Sequence, residues 1–233
     1  MSNKSSLPRV LMLDLDGTLV DSEPLYATAW KSLLNPCGID AYRRFAKGLR
    51  EYDALAALRP YLRDPTQSDA EVLKRKRDAF NRFLIEIRES PLPGVNELLT
   101  TVHASGVPMI VVTNSDAWTA KRLLVRANID AFIADTICWQ PGRAPKPNPE
   151  LYLLAIARAE VGRQDILVIE DSWPGILAAR AAGLRVCCVN GDGSTSAECH
   201  ANDVPQFMTA YELLDWLRSL GHNTSWPPDD DLS

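Results

Sequence analysis

Apolar runs of strand length recur along this chain at Val10–Leu13, Met109–Thr113, Ile166–Ile169 and Val186–Val189, with a shorter one at Thr136–Trp139. Helical spacing fills most of the intervals. Val95, Leu98, Leu99 and Val102 follow the i, i+3, i+4, i+7 rule, as do Ala120, Leu123, Leu124 and Ala127, Tyr152, Ala155, Ile156 and Ala159, and Leu213, Trp216, Leu217 and Leu220. Runs without polar alternation suit strands covered on both faces, and strands that alternate with helices predict a parallel α/β sheet of Rossmann-like type. Gly106, Gly183 and Gly221 stand where helix C-termini favour a left-handed residue.

Between Leu19 and Pro93 the pattern changes, and about seventy residues pass with helical periodicity alone. This predicts an inserted helical domain over 21–92, a core from 1–20 and 93–225, and a loose acidic tail at 226–233. Ser22-Glu23-Pro24 and Pro91-Leu92-Pro93-Gly94 suit hinges at the two junctions. The last helix of the insert opens on the capping box Ser68-Asp69-Ala70-Glu71 and carries an apolar stripe at Phe80, Phe83, Leu84 and Ile87. The basic run Lys74-Arg75-Lys76-Arg77 within it reads as a solvated face.

The first apolar run ends in Asp14-Leu15-Asp16-Gly17-Thr18. Ligands of open parallel sheets sit at the carboxyl ends of strands, so two carboxylates stand where a ligand binds, and side-chain alternation lets Asp14 and Asp16 share one side. Acidic groups so close favour a hard divalent cation such as Mg²⁺ between them, which suits phosphoryl transfer. Thr113-Asn114-Ser115 closes the second run and brings hydroxyls and backbone N–H groups to the same edge, an anion site; Ser115 is expected to cap the next helix while Thr113 faces the site. Lys146 lies in the stiff stretch Ala144-Pro145-Lys146-Pro147-Asn148-Pro149, which can aim it inward. Glu170-Asp171-Ser172 ends the third run with two more acids, Ser172 suiting a helix N-cap.

Taken in order, Asp14-Leu15-Asp16-Gly17-Thr18, Thr113-Asn114-Ser115, Lys146 and Glu170-Asp171-Ser172, followed by Gly175, Ala178-Ala179 and Ala182-Gly183, resemble the haloacid dehalogenase-like hydrolase superfamily. The helical insert resembles the cap of the subfamily that holds phosphoglycolate phosphatases, sugar-phosphate phosphatases and β-phosphoglucomutases. The resemblance implies a Mg²⁺-dependent phosphatase acting on a small phosphomonoester of sugar phosphate, phosphoglycolate or nucleotide type through an aspartyl phosphate. It makes Asp14 the nucleophile and Asp16 the acid and base. Mg²⁺ would be bound by Asp14, the Asp16 carbonyl and Asp171, with Glu170 a ligand or the holder of a water on the ion. Thr113 would hold a phosphoryl oxygen, with Asn114 and Ser115 beside it, and Lys146 would offset charge between nucleophile and phosphate.

Dehalogenases of the superfamily lack a carboxylate two residues after the nucleophile, so Asp16 argues against that reaction. Phosphonate hydrolysis in the superfamily uses a cap lysine that forms a Schiff base, for which Lys47 is the candidate, but nothing near it in the sequence suggests a depressed pKa. The mutase alternative rests on Trp30 and Lys47-Gly48-Leu49-Arg50-Glu51, although Tyr26 stands where those mutases carry a histidine. Arg50 reads either as a substrate contact or as an exposed helix-start arginine, and Glu23 is a second cap-side candidate. Trp118 and Trp173 follow site motifs and suit the rim or the core. A protein of this fold that binds without catalysis would show a broken acidic or lysine position, and none is broken.

A net charge of −5 argues against nucleic acid and anionic membranes as partners. No stretch has the length of a membrane span or the pattern of a signal peptide, and five cysteines lack metal spacing, which predicts a cytoplasmic protein. Nothing in the pattern demands a dimer, so a monomer is expected.

Overall fold

The computed structural model describes residues 8–46, 51–86 and 91–223. They fall into two compact units, Met1–Val20 with Ser90–Ser233, and Asp21–Glu89.

In the first unit six strands form one parallel sheet in the order β3-β2-β1-β4-β5-β6. They are β1 (Val10–Leu13), β2 (Met109–Thr113), β3 (Asp135–Cys138), β4 (Ile166–Glu170), β5 (Arg185–Val189) and β6 (Gln206–Phe207). The five apolar runs become strands within one residue of the expected limits, and three of them, β1, β2 and β4, are buried along their whole length. The two-residue β6 has no such run behind it and was not legible in the sequence. β1 lies between β2 and β4, with Leu13 level with Val111 on one side and Ile169 on the other. The carboxyl ends of all three strands therefore meet at one place on the sheet edge.

Alternate residues of these strands build the core. Val10, Met12, Ile110, Val112, Ile166 and Val168 pack with Leu151, Tyr152 and Ala155 of a helix over Glu150–Ala159 and with Ile176 and Ala179 of another over Trp173–Ala181. Each such apolar side chain contributes roughly 1.5–3 kcal/mol on burial. Left-handed Gly106 and Gly183 follow helices as expected, with φ of 72° and 73°. Gly221 does not: the last helix, Ala210–Asn223, continues through it. A glycine inside a helix costs only about 1 kcal/mol against alanine, so its presence does not force an end.

The second unit contains helices at Glu23–Lys31, Gly38–Phe45, Glu51–Leu58 and Asp69–Glu86 around a core that includes Trp30, Leu34, Leu55, Leu58 and Leu73. The capping box forms as read: Ser68 N–H donates to Glu71 Oε2 at 2.8 Å and Glu71 N–H to Ser68 Oγ at 3.3 Å. The basic run corrects one expectation. Lys74 is exposed, but Lys76 is buried, because it falls one turn from both Val72 and Phe80 on the apolar face of its helix. Its ammonium lies 4.8 Å from the Tyr26 ring centroid and 5.5 Å from that of Phe80, and 3.3 Å from Glu51 Oε1. Ile87 and the tail at 226–233 lie outside the described residues.

Among the described residues no helix is long and apolar enough to cross a membrane.

Candidate active site

The site is built where β1, β2 and β4 end. Asp14 extends the ladder by donating its N–H to Ile169 O at 2.9 Å, so its carboxylate leaves the sheet beside the end of β4. The chain then turns at Gly17, whose φ of 88° belongs to the left-handed region. A Cβ there would lie 2.1 Å from Asp171 Oδ2, so only glycine lets this loop approach Asp171 as it does. Thr18 Oγ1 donates to Asp171 Oδ1 at 3.3 Å.

Lys146 ties the acids together. Its buried ammonium donates to Asp14 Oδ1 at 2.7 Å, to Glu170 Oε1 at 2.5 Å and to Val112 O at 2.7 Å. Burial disfavours the ammonium, yet Asp14 and Glu170 together hold its pKa above the ordinary lysine value. Burial pushes Asp14 well above the carboxylate range, Lys146 opposes this, and Glu170, Asp171 and Asp16 add to it. Asp171 is pushed up to about 8, chiefly by burial and then by Glu170.

These shifts describe carboxylates crowded beyond what one lysine neutralises. Asp14, Glu170 and Asp171 each offer an oxygen within 4.8 Å of the others, and a hard divalent cation fits this all-oxygen donor set.

Asp16 points elsewhere on the same edge. Its Oδ2 accepts from Ser115 Oγ at 2.7 Å and from Thr113 Oγ1 at 3.4 Å, and Thr113 Oγ1 in turn accepts the Ser115 N–H at 3.0 Å. The two acids of the first motif thus have separate partners, lysine for Asp14 and hydroxyls for Asp16.

Other readings need adjustment. Ser115 does not cap the following helix, Ala117–Arg126; Asp116 does, accepting from Trp118 N–H and Thr119 N–H at 2.9 and 3.0 Å. The helix starts one residue later than expected, which moves the cap to the aspartate and leaves the Ser115 hydroxyl for Asp16. The Asn114 amide turns to the lysine loop, accepting from Lys146 N–H at 2.9 Å and donating to Lys146 O at 3.4 Å. Ser172 caps its helix as expected through Gly175 N–H at 3.3 Å.

Trp173 packs against the core while Trp118 is exposed. In the second unit Glu23 Oε1 accepts from Tyr42 Oη at 2.8 Å. Arg50 and Lys47 lie outside the described residues. Helical periodicity gives no sign of one further contributor. Tyr152, there only a member of an apolar stripe, donates its buried hydroxyl to Glu170 Oε1 at 2.7 Å.

Residues 8–183 match the haloacid dehalogenase-like hydrolase family. The chain belongs to this family. Among curated relatives, a phosphoglycolate phosphatase of Pseudomonas fluorescens is 31% identical over 221 residues, covering 92% of this chain and 79% of the relative. A phosphorylated carbohydrates phosphatase of Thermotoga maritima is 29% identical over 179 residues, covering 75% and 82%. Among solved structures, a family hydrolase of Deinococcus radiodurans with bound phosphate and sodium superimposes with a TM-score of 0.75 at 25% identity, covering 93% of this chain and 97% of the other. In open parallel sheets ligands bind outside the carboxyl ends of the strands, the edge at which these residues gather.

Proposed function

We propose that this protein is a Mg²⁺-dependent phosphatase of small phosphomonoesters, sugar phosphates foremost, acting through an aspartyl phosphate on Asp14. The observation that carries the reading is the pairing of Lys146 Nζ with Asp14 Oδ1 at 2.7 Å while Asp16 stands apart on hydroxyls. A nucleophile held beside a cation and a second carboxylate held by hydroxyls suit the two roles of two-step phosphoryl transfer.

Asp14 attacks phosphorus, forming the Asp14 O–P bond as the bond to the ester oxygen breaks, and a proton on Asp16 goes to the leaving oxygen. Asp16, now ionised, takes a proton from the incoming water, which displaces Asp14 and releases inorganic phosphate. Lys146 keeps its proton throughout, so it offsets charge and cannot serve as a base. The Thr113 hydroxyl would bind a phosphoryl oxygen, and Asn114 anchors the main chain of Lys146. Asp14, Asp171, Glu170 and the Asp16 carbonyl would hold Mg²⁺, whose positive charge would offset the crowded carboxylates and the phosphoryl oxygens.

Substrate type is supported by the relatives, whose names cover phosphoglycolate and phosphorylated carbohydrates. Phosphatase is favoured over mutase by Tyr26, whose ring stacks on Phe80 at 4.5 Å and lies under Lys76. The free cysteines, of which only Cys37 is exposed, fit a reducing compartment such as the cytoplasm.

Purified protein with Mg²⁺, offered a panel of phosphometabolites, is expected to release phosphate fastest from a sugar phosphate. Supplied with β-glucose 1-phosphate, it is expected to yield free phosphate and not glucose 6-phosphate. No release across the panel contradicts the phosphatase reading.

A further inference from the structure

Glu170 is fully buried, and buried carboxylate oxygens take partners from the protein or from a ligand. A carboxylate oxygen has two lone pairs, and those of Oε1 are both taken, one by Lys146 Nζ and one by Tyr152 Oη at 2.7 Å. Oε2 accepts a single longer bond from Ser172 Oγ at 3.2 Å, which leaves it with capacity for one more partner. Gly175 permits this placement, since a Cβ there would come within 2.1 Å of both Glu170 oxygens. Tyr152 is itself fully buried, in the core cluster that also holds Met12, Val112 and Val168, and its ring centroid lies 5.0 Å from the Lys146 ammonium.

We infer that the Tyr152 hydroxyl is a positioning group for phosphoryl transfer, acting through Glu170: by filling Oε1 alongside Lys146 it turns Oε2 to the carboxylate cluster that receives the divalent cation. The tyrosine touches neither substrate nor the reacting atoms. It fixes one carboxylate that serves two neighbours, the lysine paired with Asp14 and the cation.

This rests on the phosphatase reading, and the test separates the two. Tyr152→Phe keeps the ring and removes one oxygen. Mn²⁺ binding to the resting full-length protein, followed by electron paramagnetic resonance, is expected to weaken about tenfold, the range seen when a group that orients a metal ligand is lost. At saturating metal and substrate kcat is expected to fall about tenfold with KM within twofold, because the substrate itself is not contacted. In a Glu170→Gln background the same tyrosine change is expected to have no further effect on Mn²⁺ affinity.

A lowered melting temperature with Mn²⁺ affinity and kcat unmoved would make Tyr152 a packing residue and overturn the inference. An equal loss in both backgrounds would overturn it as well, and this comparison serves even if one variant is less stable. Wild-type protein that neither binds Mn²⁺ nor releases phosphate contradicts the phosphatase reading and the inference together; active wild type with an unshifted Tyr152→Phe contradicts the inference alone.

Discussion

Lys146 Nζ stands 2.7 Å from Asp14 Oδ1, and both side chains are buried, Asp14 just past the carboxyl end of β1 and Lys146 in the loop that follows β3. A buried ion pair gains or loses little on balance, but removing one partner strands the other at a cost of about 3–5 kcal/mol. Here the lysine serves two carboxylates, so its loss leaves both uncompensated.

Lys146→Met is therefore expected to lower stability by about 3 kcal/mol and to abolish turnover. Denaturant unfolding and phosphate release measure the two effects. A fully stable, active variant would remove the lysine from the account.

Gly17→Ala places a methyl group where Asp171 Oδ2 now lies and forces a side chain onto a φ of 88°. Backbone strain of this kind costs about 1–3 kcal/mol, and displacement of Asp171 adds a loss of cation affinity. Thermal melts with and without Mg²⁺ are expected to show a lower baseline stability and a smaller rise on adding the ion.

Much of this site was legible in the sequence because its strands are unbroken apolar runs, and their ends are fixed by the first acid, hydroxyl or glycine that follows. Asp14, Thr113 and Glu170 could be placed at one edge on that ground alone. Lys76 could not be placed, since its burial depends on which face of its helix meets the Tyr26 and Trp30 helix. Nor could Tyr152: a tyrosine in an apolar stripe has the same spacing whether or not its hydroxyl finds a carboxylate eighteen residues away. Asp116 differed from Ser115 as a cap only through a one-residue shift in the helix start, below what periodicity resolves.

Burial, and then Glu170, push the Asp171 carboxyl up from its ordinary value near 4 to about 8 in the fold. Between these values the fold retains a proton that the unfolded chain has released, so this group lowers stability as pH rises from about 4 to about 8. A cation replaces that proton. The Mg²⁺-induced rise in melting temperature is expected to be larger at pH 8 than at pH 5.5, and an equal rise at both would contradict the placement of the ion at Asp171.

Asp16→Asn removes the carboxyl proposed as proton donor while leaving Asp14 and Lys146 in place. A p-nitrophenolate leaving group needs no proton, whereas a sugar alkoxide does, so the variant is expected to lose at least tenfold more activity on a sugar phosphate than it loses in forming the acyl phosphate from p-nitrophenyl phosphate. Equal losses on both would assign the acid role elsewhere.

The most direct measurement captures the covalent step itself. Asp16→Asn protein mixed with p-nitrophenyl phosphate and Mg²⁺, quenched in acid and treated with borohydride, is expected to carry homoserine at position 14 in the peptide mass spectrum, the product of reducing an aspartyl phosphate. Unaltered Asp14 under these conditions, with the wild type turning over the same substrate, would contradict Asp14 as the nucleophile.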